Sequence, residues 1–477
     1  MSTKRIPYLP SDIIHAIADI IALEFDIENL DPCKRHDRRL AREYYPKDLL
    51  SLRASCREFC WIVSSRVFRT LRLTHTLKSI AGFVQIMQSP WVNHCVQSVK
   101  YQYWNPGKTI NRFAPPPFSF SFLISDYVAA AEPHRYDSDV LLADLISERE
   151  AAAEIRQQLS QVLFRLHEFP ALRSLSIRFG DIAPVDTELD RIRDDLSSIL
   201  DALVSLGASL PRPLQSLSLT RLPPIHLEQY NSPAFLALRA DLSFFELHLA
   251  CTDSWSKLVV PPLPPGLISP CEPFIYDTMP GRLLPPPSAT TGLANLEALA
   301  LCFSDPIGIF YLTYSFSELH FPRLRALRLQ HVQFSIACDA ERFVSQHAET
   351  LLELHLLHCQ IAVANNEEDQ DNDGFDGFPA VPRPWSDIYY AFNDKLARLV
   401  FLDVQEPWWI SFPDRYITYS PGEMIQFLEE GRDEDKLAIE MFRTTVKKRA
   451  DKLTVEYERE LFSSSAALLP ILINKFV

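Results

Sequence analysis

The sequence predicts an α/β repeat fold with a small three-helix module in front of it and a helical tail behind. Three observations lead there. A stripe of isoleucines recurs at helical spacing near the amino terminus, a short apolar motif returns nine times through the middle, and a charged helical stretch closes the chain. Its 477 residues exceed an ordinary single domain, and 47% hydrophobic with 23% charged residues is the balance of a folded soluble chain.

The stripe comprises Ile13, Ile14, Ile17, Ile20 and Ile21, with Asp12, His15 and Asp19 on the opposite side, so residues 12 to 21 read as an amphipathic helix. Ser11 is its N-cap, and Leu9-Pro10 set the approach of the chain. After a polar insert at 26–46, Leu49, Leu50 and Leu52 mark a second short helix, and Cys56, Phe59, Cys60 and Val63 a third. So small a bundle buries little of its apolar surface, and a partner covering the remainder would stabilise it.

This pattern resembles an F-box. Leu9, Pro10, Asp12, Ile13, Ile14 and Ile17 match the opening helix of that family, and Leu49, Leu50, Leu52, Arg53, Ser55, Cys56, Arg57 and Phe59 match its centre. Phe68 and Leu71 fit its closing hydrophobic positions. The insert at 26–46 is longer than the family's usual link. It carries Lys34, Arg35, Arg38, Arg39 and Arg42, which read as a solvated loop or as an import or docking patch. The resemblance implies docking on a Skp adaptor, and through it a cullin, by Leu9, Pro10, Ile13, Ile14, Ile17 and Leu49, with Leu52, Arg53, Cys56, Arg57, Phe59 and Val63 on the same face.

From Phe68 onward an apolar-x-x-apolar-x-apolar hexamer recurs: FRTLRL at 68, VQSVKY at 96, LRSLSI at 172, LQSLSL at 214, FFELHL at 244, LEALAL at 296, LRALRL at 324, LLELHL at 351 and LARLVF at 396. The clearest copy is 351–361, where Leu351, Leu354, Leu356, Cys359 and Ile361 hold the apolar positions and the stretch before them reads as a helix. The series resembles leucine-rich repeats, in which each unit supplies one strand and one helix and stacking completes the core. Strand alternation then points Arg178, Glu246, His248, Arg328, Gln330, Glu353, His355 and Arg398 outward as candidates for a substrate face, among serines such as Ser174, Ser176, Ser216 and Ser218. Helical stretches are read at 140–169, 188–206 and 421–460.

Composition narrows the function. A net charge of −14 argues against a nucleic-acid surface, because neutralising phosphates takes a dense field of Lys and Arg. Neither a signal-peptide run nor an 18-residue uncharged apolar stretch occurs, so an intracellular, non-membrane chain is expected, cytoplasmic or nuclear. Nine cysteines without a CxxC pair do not suggest a disulfide framework or a zinc ribbon. Asp369, Asp371, Asp373 and Gly374 match the first half of a calcium loop, but Ala380 stands where its closing glutamate belongs. Gly107-Lys108-Thr109 lacks the glycine a phosphate loop needs, with Gln102 in its place. His355, His358 and Cys359 lie close in sequence, yet alternation separates them, and no metal or cofactor is expected.

The expected organisation is therefore an F-box-like three-helix module over 6–73 and an irregular leucine-rich-repeat solenoid over 74–410 with an acidic loop at 365–377. A helical cap or tail follows over 411–477. The combination resembles the substrate-recognition subunits of Skp/cullin/F-box ubiquitin ligases, which implies a non-catalytic adaptor holding a protein substrate. An interaction scaffold unconnected with ubiquitination is the alternative. A hydrolase or metal enzyme would need a convergent polar cluster that the sequence does not supply.

Overall fold

The computed structural model describes residues 57–102, 153–179, 189–250, 274–284, 293–307, 315–335, 338–363, 383–405, 416–418 and 424–463. Within them, strands β1(Thr70–Thr74), β2(Ser98–Gln102), β3(Ser174–Arg178), β4(Ser216–Leu222) and β5(Phe244–Leu249) pair in chain order. Next come β6(Ala298–Ile307), β7(Ala326–Phe334), β8(Glu353–Leu357) and β10(Phe401–Gln405). Two further strands, β9(Gln360–Val363) and β11(Tyr416–Thr418), branch off through β7. All pairs are parallel.

Alternation explains why these segments are strands and which way they face. Leu73, Tyr101, Ile177, Leu219, Leu247, Leu301, Leu329, Leu356 and Val404 form one in-register row, with Leu71, Val99, Leu175, Leu217, Phe245, Leu299, Leu327, Leu354 and Leu402 in the row beside it. Nearly all are buried in a single continuous core. Between them stands a row running from Arg72 to Asp403 that points the other way. A one-residue slip in any strand would put its whole apolar set in water, so the pattern itself pins the register.

The connections fill the apolar side. Consecutive parallel strands joined by right-handed crossovers that always advance in one direction place every connecting helix on the same face. Thus α2(Leu77–Gln88), capped by Thr76 accepting from the Ser79 amide, buries Ile80, Phe83 and Met87. A helix whose described part spans 153–164 (α3) sends Leu159, Val162 and Leu163 inward, and Phe169 after it meets Phe83 edge-on at 5.4 Å. Helix α4(Leu189–Ser209) packs on α5(Pro233–Ala240) so closely that a Cβ on Gly207 would lie 2.2 Å from the Ala234 carbonyl oxygen. A π-helical segment, Phe274–Leu283, precedes β6; α6(Ala340–Ser345), α7(Trp385–Lys395) and α8(Met424–Ser463) complete the layer. Asp435 of α8 accepts from the Ser386 amide at the start of α7 at 2.7 Å.

This corrects the expected fold class. The described residues form an all-parallel α/β sheet with helices, not a three-helix F-box module followed by a leucine-rich-repeat solenoid. One reason lies at the front: α1(Arg57–Val67) runs almost directly into β1, and the expected boundary at 73/74 falls inside that strand. A second lies in the connections, because strand starts are 28 residues apart from Thr70 to Ser98 but 76 from Ser98 to Ser174. Helices of six to 21 residues fill these gaps, so no constant unit repeats.

Candidate functional site

With the helices on one side, the opposite face of the sheet is covered by no described helix, and its side chains form three rows. Nearest the strand starts lie Ser98, Ser174, Ser216, Phe244, Ala298, Ala326, Glu353 and Phe401. The middle row is Arg72, Lys100, Ser176, Ser218, Glu246, Ala300, Arg328, His355 and Asp403. The third holds Gln102, Arg178, Thr220, His248, Cys302, Gln330, Leu357 and Gln405. Neighbours along a row are about 5 Å apart and the rows about 7 Å apart, a spacing that suits an extended peptide. Phe244 and Phe401 are exposed at 36% and 48%, unusual for large aromatics on an otherwise polar face.

Beyond the third row the chain bends. Arg221, His331 and His358 adopt positive φ angles of 58°, 56° and 55°, a left-handed conformation that residues other than glycine take at a cost of roughly 1–2 kcal/mol. At Arg221 the ladder shifts register, and past His331 strand β7 pairs with β9 instead of β8. The His331 and His358 rings stack with centroids 5.3 Å apart, and His331 Nδ1 lies 2.6 Å from the Phe303 carbonyl oxygen. These bends bring Arg221 and His331 alongside His248 and Arg178.

Charge on this face is arranged in pairs. Ser218 Oγ donates to Glu246 Oε2 at 2.6 Å, which draws that carboxylate toward β4. His355 Nδ1 is 3.5 Å from Asp403 Oδ2, and Gln405 Nε2 donates to the same oxygen at 3.1 Å. The His355 contact holds the Asp403 carboxyl below its usual range, whereas burial raises that of Glu353. His248 is pushed down to about 4, first by burial and then by Coulombic repulsion from Arg221, His331, Arg178 and Arg328, so it is neutral at pH 7. Arg328 donates from Nη2 to Gln330 Oε1 at 3.1 Å, and its Nε is buried without a hydrogen-bond partner.

The face combines hydrogen-bonding, charged and aromatic side chains. Burial pushes the Cys302 and Cys359 thiols up to about 12, so neither is a thiolate nucleophile at neutral pH. Among the described residues no cluster of three His, Cys, Asp or Glu side chains is placed to hold a metal ion. His355 pairs with Asp403 and lies 5.0 Å from the Phe401 ring, with no described hydroxyl or thiol hydrogen-bonded to it to complete a nucleophilic arrangement. Nor is any described helix long and apolar enough to cross a membrane.

Of the residues expected on a substrate face, Arg178, Glu246, His248, Arg328, Gln330, Glu353 and His355 all lie there. Arg398 does not. It precedes β10 in the turn, where its Nη1 donates to the Glu349 carbonyl at 2.8 Å. The strand pattern begins three residues after the hexamer at 396: Leu399, Leu402 and Val404 occupy the places that Leu351, Leu354 and Leu356 hold one strand back. The same three-residue spacing identifies Phe401, Asp403 and Gln405 as the outward residues. Arg221 and His331 lie past the end of the hexamer, where no sequence pattern marks them.

Among the expected adaptor-docking residues, Leu9, Pro10, Ile13, Ile14, Ile17, Leu49, Leu52, Arg53 and Cys56 lie outside the described residues. So do the acidic stretch from Asp369 to Gly374 and Gly107-Lys108-Thr109. Arg57 and Phe59 belong to α1, but their side chains are not among those described. Val63 is described and has 0% exposure, so the chain itself covers this residue of the expected docking face. No family model matches the chain, and no curated protein matches it significantly.

Proposed function

We propose that the protein is a non-catalytic recognition subunit of a Skp/cullin/F-box ubiquitin ligase. The open polar face of its sheet holds a protein substrate, and residues around Ile13, Ile14 and Ile17 hold the Skp adaptor. The observation that carries the recognition half is the face itself: three in-register rows of polar and aromatic side chains, free of described helices, with thiols that burial keeps protonated. The ligase half rests on the resemblance of residues 9–17 and 49–59 to the F-box pattern. In this role the subunit raises the effective concentration of a substrate lysine near the conjugating enzyme and contributes no reacting group. Co-purification of the full chain with the Skp adaptor tests it: Ile14→Asp, with unchanged circular dichroism, is expected to abolish the association.

An interaction scaffold without ubiquitin ligation is the second reading, and the burial of Val63 favours it, because a helix packed into its own chain offers less to a partner. Failure of the intact protein to retain the adaptor while it still retains a protein on its polar face would decide for the scaffold.

A further inference from the structure

The open face changes character along the sheet, and its first three strands are basic. Arg72 on β1 and Lys100 on β2 stand directly opposite each other in register. Both are exposed, and neither makes a hydrogen bond or an ion pair among the described residues. Like charges placed side by side repel, and an anion shared between them relieves that repulsion. Arg178 follows on β3, while Arg69 and Arg173 are exposed in the turns where β1 and β3 begin. Around these cations lie Ser98, Ser174 and Ser176, whose hydroxyls likewise have no described hydrogen-bond partner. Segments 65–79, 89–102 and 170–179, which hold the three strands and their flanks, contain no Asp or Glu. The first carboxylate along the rows is Glu246 on β5, and Ser218 holds it. A field of cations about 10 Å across from β1 to β3 is therefore set on a chain whose net charge is −14. The short serine side chains leave the longer cationic ones standing above the sheet, so a ligand reaches them from solvent without entering a cavity.

We propose that the β1–β3 end of the open face binds an extended acidic segment of a protein partner, several of its aspartates or glutamates pairing with Arg72, Lys100 and Arg178. This rests on the reading of the face as a protein-recognition surface and adds the partner's chemistry. The cations are spread over three strands and not gathered around one point, which matches charge distributed along a chain better than a single phosphate group. Nucleic acid suits the patch less, because no aromatic side chain faces out of β1, β2 or β3 to stack on a base. The test is fluorescence anisotropy on the full-length protein with four labelled probes: an aspartate–serine repeat peptide, its asparagine–serine counterpart, that neutral repeat carrying one phosphoserine, and an oligouridylate. The acidic repeat is expected to bind with an affinity that falls as salt rises, and the double variant Arg72→Gln/Lys100→Gln to weaken it by about tenfold or more. Lys448→Gln, an exposed cation on α8 in the helical layer, should leave it unchanged. Equal binding of the asparagine peptide, tighter binding of the phosphoserine peptide or the oligouridylate, or no binding of the acidic repeat would each overturn the proposal. So would an undiminished affinity in the folded double variant, or an equal loss in Lys448→Gln. Retention of the Skp adaptor is scored on the same samples, so failure of the acidic peptide to bind, taken alone, leaves the ligase reading standing.

Discussion

His347 has 1% of its surface exposed, accepts at Nε2 from the Phe321 amide at 2.9 Å and donates from Nδ1 to the Phe343 carbonyl at 2.7 Å. Those two bonds fix a neutral tautomer, and a second proton on Nε2 would confront the Phe321 N–H. Burial accordingly holds the imidazole down at about 4. A folded-state value below the unfolded one means that the unfolded chain binds more protons in between. The stability this residue contributes is therefore present above about pH 6.5 and is lost as pH falls toward 4, by on the order of 3 kcal/mol for a fully realised shift. Urea unfolding across that range should show the decline, and His347→Phe should flatten part of it. The fully buried Arg239 gives a contrasting case: Nη1 donates to the Leu283 carbonyl at 3.0 Å, the guanidinium lies over Phe235, and Nε and Nη2 have no partner. Burial, assisted by the charge of Arg282, lowers it to about 9. Because an uncompensated buried charge costs several kcal/mol, Arg239→Met is expected to be within about 1 kcal/mol of wild type or more stable, whereas Arg239→Ala loses packing and about 2 kcal/mol or more. Denaturation midpoints of the two variants distinguish this from a charge that the fold requires.

At the scale of elements, the close crossing of α4 and α5 depends on one missing side chain. Gly207→Ala would drive a methyl into the Ala234 backbone, which cannot yield as a flexible side chain would, so a loss of about 1–3 kcal/mol is expected in equilibrium unfolding. The strands are largely legible in the sequence, because alternation with leucine, valine and phenylalanine inward is a strong signal wherever one face is buried. The exception teaches the limit. LARLVF at 396–401 has the right composition but lies three residues early, since Leu396 and Leu399 are both buried and either can begin the pattern. An odd-numbered slip exchanges the two faces, which is why Arg398 was assigned outward and Asp403 was missed. Helix 188–206 was read within a few residues of α4, whereas the turns at Arg221, His331 and His358 left no trace, because their left-handed backbone is imposed by neighbouring strands and not by glycine.

Over the whole molecule, local pattern located the strands but not the class of fold they build. The hexamers specify which residues pair; the lengths between them decide what covers the sheet, and those lengths vary too much here for a uniform unit. The open face follows from topology alone, since every crossover adds to the same layer. Seven of the eight residues named from sequence lie on its polar rows, and Arg398 does not, because the true strand pattern begins three residues after Leu396.

Whether the protein recruits a Skp adaptor, as proposed, is decided by calorimetric titration of purified adaptor into the full-length chain. Saturable one-to-one binding with a negative heat-capacity change from buried aliphatic surface, lost in a folded Ile14→Asp variant, is expected. Absence of binding by the intact protein, or identical binding by the variant, would contradict it.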